Sequence, residues 1–198
     1  MLNEDMVLSY LAMTAVWKIL LVSAVAAAAL GRRLAARYNS PTMIAVLFIL
    51  AVGCVMALTA PPGTSLPASE VIDWYTHGEA YRDLLTSHTM PQDKANIIMF
   101  LPIGFLGCLL TRRIFRTIFF GAGFSLAIEV WQTFMGRSGD IMDLRNNTIG
   151  AIIGSIAAII ILQMRRKQKL DSTASTRDPS SAATSPARST ACSPPATR

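Results

Sequence analysis

Between Glu129 and Gly154 the chain reads EVWQTFMGRSGDIMDLRNNTIGAIIG, a dense polar series held between two apolar runs. Its residue types set the chemistry it could support. Glu129, Asp140 and Asp143 are carboxylates that could act as general acid and base or hold a hard cation through oxygen ligands. Gln132 and Asn147, with Asn96 upstream, are carboxamides that donate and accept hydrogen bonds together, as sugar or amide groups require. Arg137 offers a planar fork matched to phosphate or carboxylate. No activated nucleophile and no metal-ligand spacing accompanies them, so neither a catalytic residue nor a metal or cofactor is assigned.

The positions carry as much information as the types. An ionisable residue at the centre of a membrane helix costs about 2.5–3.5 kcal/mol on insertion scales, so Glu129 is a functional candidate by default. Asp140, Asp143, Asn147, Gly150 and Gly154 recur at steps of three and four. On a helix beginning near 140 all five share one face. Its glycine half would let a neighbouring helix approach closely, as in small-xxx-small packing. Each polar residue also has a structural reading: the aspartates as helix caps, Arg137 as an interfacial anchor, Glu129 and Gln132 as an interhelical pair.

The elements that must position these groups follow from hydropathy. Of 198 residues 52% are hydrophobic and 15% charged, against about 25% charged in soluble domains. Continuous apolar runs at 7–30, 42–60, 95–111, 117–135 and 148–164 approach the roughly 20 residues that cross a bilayer. Because the runs do not alternate, a transmembrane β-barrel is disfavoured. Asn3, Glu4 and Asp5 precede the first run where a signal peptide would be basic, so that run is read as a retained helix. Lys18 falls near its middle and must snorkel, face protein or pair. Pro102 is expected to kink the third span.

In the long connector, Val71, Trp74, Tyr75, Gly78, Tyr81, Leu84 and Leu85 recur at helical spacing opposite charged residues. This predicts an amphipathic helix over 69–85, lying at the interface or over the bundle. His77 and His88 here read as solvated loop histidines. Cys54, Cys108 and Cys192 form no metal spacing and imply no disulfide framework. From 169 to 198 the chain turns to Ser, Thr, Ala and Pro with scattered Arg, the composition of a disordered tail beyond a bundle over 1–168.

The net charge of +6 does not point to nucleic acid, because the basic residues cluster at the ends of apolar runs. Lys and Arg number ten in the connectors at 31–41, 112–116 and 165–169, against four on the other side. The positive-inside rule then puts the N-terminus outside and the C-terminus in the cytoplasm. The expected fold is an all-α polytopic membrane protein with five transmembrane helices and one amphipathic helix in the outer loop. Its polar groups converge on the outer half of the bundle.

The residues Asp93, Asn96, Phe100, Pro102 and Gly104 in DKANIIMFLPIGF, Glu129 and Gln132 in SLAIEVWQTF, and the series Arg137, Asp140, Asp143, Asn147, Gly150 and Gly154 together resemble the VanZ-like family over about residues 90–160. Some members carry a histidine after the Asp–Lys pair, where this chain has Asn96. The family takes its name from a protein linked to resistance to the glycopeptide teicoplanin. The resemblance implies a multi-pass protein of the bacterial cytoplasmic membrane connected with the cell envelope. Three functions fit the residues. The foremost is binding or handling of a lipid headgroup or lipid-linked envelope precursor at the outer leaflet, by Asn96, Glu129, Gln132, Arg137, Asp140, Asp143 and Asn147. The others are an enzyme using Glu129, Asp140 and Asp143 on such a lipid, and a structural or assembly protein. Oligomeric state is not legible.

Overall fold

The computed structural model describes residues 14–59, 91–135 and 141–175. The helix expected over 69–85, both histidines, Cys192, Arg137 and Asp140 lie outside them. The described residues are all helix and turn: α1 (Thr14–Tyr38), α2 (Thr42–Thr59), α3 (Pro91–Thr111), α4 (Ile114–Phe134) and α5 (Ile141–Ser175). Each of the five is long and apolar enough to cross a membrane.

Helix ends differ from the ends of the apolar runs, because backbone breakers rather than hydropathy set them. The segment GRRLAARY, expected as a connector, continues α1, since arginine, leucine and alanine are good helix formers. The helix ends where Asn39 takes a left-handed φ of 48°. There Ser40 N–H bonds Ala35 O at 3.0 Å and Asn39 N–H bonds Ala36 O at 3.3 Å, a Schellman closure. Arg112 ends α3 in the same region, with φ 53° and its N–H on Cys108 O at 2.8 Å. Pro102 lies inside α3, which continues through it.

Contacts fix the up-and-down order. Gly31 faces Val46 and Gly53 faces Ser23, so α1 and α2 are antiparallel. Phe48 packs on Phe120 with centroids 5.4 Å apart, and Gln132 reaches Thr59, so α2 and α4 run the same way. Gly150 meets Ile97 and Gly154 meets Leu101, so α3 and α5 are parallel neighbours. Gly121 meets Ala151, which places α4 against α5. The α1–α2 register brings Lys18 level with the end of α2, not mid-span. It is exposed there and forms no ion pair among the described residues.

The core joins Val55, Phe100, Ile103 and Ile128 from α2, α3 and α4. In lipid such contacts act by close packing, since hydrocarbon surrounds the bundle as well. Cys54 is exposed and Cys108 buried, both as free thiols. These features belong to the unit Met1–Leu162; a second unit is Gln163–Arg198. Within the second, helix continues to Ser175, into the stretch whose composition suggests tail. Residues 176–198 lie outside the described ones.

Candidate functional site

The polar residues gather where α2 and α4 finish and α3 and α5 begin. Since α5 starts at Ile141, well before the apolar run at 148, Asp143 and Asn147 are helical and not part of a turn. Asp143 sits in the first turn of α5, where a carboxylate complements the helix dipole. Asn96, in α3, donates its Nδ2–H to Asp143 Oδ1. One turn deeper, Asn147 donates from Nδ2 to Ser125 Oγ of α4 at 2.9 Å. Asn147 is 3% exposed, and its Oδ1 has no hydrogen-bond partner. Leaving a buried acceptor unmade costs about 1–3 kcal/mol.

On α4, Ser125, Glu129 and Gln132 follow at steps of four and three, and all three are buried. Gln132 Nε2 donates to Thr59 O at 3.1 Å, a carbonyl in the last turn of α2. Thr133 Oγ1 donates to Glu129 O at 2.8 Å. The α4–α5 register set by Gly121–Ala151 and Ser125–Asn147 brings Glu129 level with Asp143. Two carboxylates therefore stand on facing helices at the mouth of the bundle.

Gly150 and Gly154 lie against the α3 backbone. A Cβ on Gly150 would collide with Ile97 O, and one on Gly154 with Leu101 O. Gly104 of α3 is equally tight against Ala151 O. Ser155 adds an interhelical bond, Oγ–H to Gly104 O at 3.2 Å. This backbone approach holds Asn96 within reach of Asp143.

Beside the polar cluster α1, α2 and α4 enclose an apolar groove of about 530 Å³. Ala15 and Ile19 form one wall, Met56 and Thr59 another, Ile128 and Trp131 the third. Thr59 belongs to both places: it lines the groove and its carbonyl receives the Gln132 bond.

A family model described as VanZ/LLP1 matches residues 43–162. The chain belongs to the VanZ/LLP1 family. The match starts at the head of α2, so the family region includes Thr59 and two walls of the groove as well as the stretch from 90 onward. No curated protein and no solved structure matches the chain.

Within this VanZ/LLP1 member, Asn96, Glu129, Gln132, Asp143 and Asn147 lie at one end of the bundle, Asn96 with Asp143 and Gln132 with Thr59. Arg137 and Asp140 fall just outside the described residues. Sequence reasoning missed Ser125, one turn before Glu129 on the same face, which the three-and-four spacing could have found. Arg145 is helical, and its Nε and Nη2 donate to Asn146 Oδ1 at 3.4 and 3.3 Å. Asn146 is 1% exposed. Thr59 had no sequence signal, because its contribution is a backbone carbonyl. Among the described residues no group of three or more His, Cys, Asp or Glu could hold a metal.

Proposed function

We propose that this VanZ/LLP1 membrane protein binds or handles an amphipathic envelope lipid or lipid-linked precursor. The observation that carries this reading is the sharing of Thr59 between an apolar groove and a buried polar cluster. A chain in the groove would bring its headgroup to Glu129, Gln132, Asn96, Asp143 and Asn147. The unpartnered Asn147 Oδ1 is an acceptor suited to a hydroxyl or amide donor. Arg137 would supply the charge for phosphate or carboxylate, and Asp140, three positions on in the sequence, a further polar group. The bias of Lys and Arg supports placing this end at the outer leaflet, and the family resemblance supports a bacterial cytoplasmic membrane. Sequestering or remodelling a cell-wall precursor there would alter glycopeptide susceptibility, consistent with the origin of the family name.

The test is envelope-lipid profiling of a deletion strain complemented with wild type or Glu129→Gln. The deletion should change the profile, and wild type should restore it. Glu129→Gln should not, at equal membrane abundance. Full restoration by Glu129→Gln would sink the reading.

A second reading rests on the bonds themselves. Asn96–Asp143, Gln132–Thr59 and Asn147–Ser125 each tie two helices together, which is what a purely structural lock would do. It requires Glu129→Gln to be silent or to lower abundance. A stable, abundant, inactive variant would exclude it.

A further inference from the structure

The opposite end of the bundle carries its own cavity, and it does not depend on the lipid-handling reading above. The α1–α2 and α3–α4 turns stand there together. Between α1, α2, α3 and α4 they leave a cavity of about 260 Å³. That is just below the roughly 300 Å³ at which whole-ligand pockets begin, so it has room for a segment of a chain. Leu34, Phe48 and Phe120 give it apolar walls, while Tyr38 and Arg116 bring polar groups to it. Arg116 is exposed, so a ligand in the cavity can reach its guanidinium.

Among the described residues of the unit Met1–Leu162, the charge at this end is all of one sign. Arg32, Arg33 and Arg37 end α1, and Arg112, Arg113 and Arg116 form the α3–α4 turn and the start of α4. None of these arginines has an ion-pair partner among the described residues. The described carboxylates of the unit Met1–Leu162 are Glu129 and Asp143, at the other end. Topology anchoring accounts for arginines at a helix end. It does not require an apolar cavity opened beside one of them.

We propose that this cavity binds an anionic phospholipid, with the phosphate on Arg116 and a segment of acyl chain between Leu34, Phe48 and Phe120. Basic clefts between transmembrane helices recognise anionic headgroups through this combination of fixed positive charge and hydrocarbon contact. Tyr38 adds a hydroxyl donor at the same wall.

The experiment uses the full chain in dodecyl maltoside, titrated with phosphatidylglycerol, phosphatidylcholine or inorganic phosphate and followed by native mass spectrometry and thermal unfolding. Phosphatidylglycerol should be retained and should raise the unfolding temperature; the other two should do neither. Arg116→Gln should weaken phosphatidylglycerol binding about fivefold, and Arg116→Lys should recover most of it. Leu34→Trp, which fills the cavity without changing charge, should also weaken binding. Arg165→Gln with Arg166→Gln, in the second unit, should leave binding within about twofold of wild type. Equal retention of phosphatidylcholine would overturn the proposal. So would a loss in the Arg165/Arg166 double variant as large as in Arg116→Gln, or unchanged binding in Leu34→Trp.

Discussion

Asn147 gives its carboxamide N–H to Ser125 Oγ at 2.9 Å across the α4–α5 contact, and its own Oδ1 stays without a partner at 3% exposure. A carboxamide and a hydroxyl are thus fixed side by side, one turn from Glu129, with an acceptor to spare. A double-mutant cycle of Ser125→Ala and Asn147→Ala, read by thermal unfolding in detergent, should give a coupling of about 0.6 kcal/mol, and no more than about 1.7. Ser125→Ala alone should cost more than that coupling, because it leaves a second buried Asn147 atom unsatisfied.

Gly150 and Gly154 permit contact between the α3 and α5 backbones, where an added Cβ would strike Ile97 O or Leu101 O. Carbonyls within a helix cannot move aside. Gly150→Val and Gly154→Val should therefore fail to accumulate in membranes. Gly123→Ala, which meets nothing within 4 Å, should accumulate as wild type on an immunoblot of membrane fractions.

Asp143 accepts from Asn96, and this pairing separates charge from hydrogen bonding. Asp143→Asn keeps an acceptor for Asn96 Nδ2 and should hold most of the stability, whereas Asp143→Ala should lose about 1–3 kcal/mol. In a lipid-profile complementation assay a stable but inactive Asp143→Asn protein would show that the charge serves function. Full activity would confine Asp143 to a bracing role.

Arg112 holds a left-handed φ of 53°, a conformation costing a side-chain-bearing residue roughly 1–2 kcal/mol. Arg112→Gly should consequently raise the unfolding temperature of the detergent-solubilised chain. The opposite result would mean that the arginine makes up for its backbone strain at the membrane surface.

The sequence alone determined the class and the family of this protein. Five apolar runs cannot be satisfied in water, and Asp143, Asn147, Gly150 and Gly154 recur at a spacing that one helix face explains. It also determined that Gly150 and Gly154 face a neighbour, because a 3.6-residue period fixes which side chains share a side. It could not say which neighbour. That α3 lies against those glycines, that Gln132 bonds α2 at Thr59 O, and that Ser125 joins Asn147 are pairings between segments far apart in the chain. They depend on which helices approach closely enough to pack, and no local periodicity encodes that. Helix ends were decided by Asn39 and Arg112 in left-handed turns, so α1 outran its apolar stretch, while the α1–α2 register put Lys18 level with the end of α2. The groove beside Thr59 and the cavity beside Arg116 are spaces between helices, and only the assembled bundle defines them.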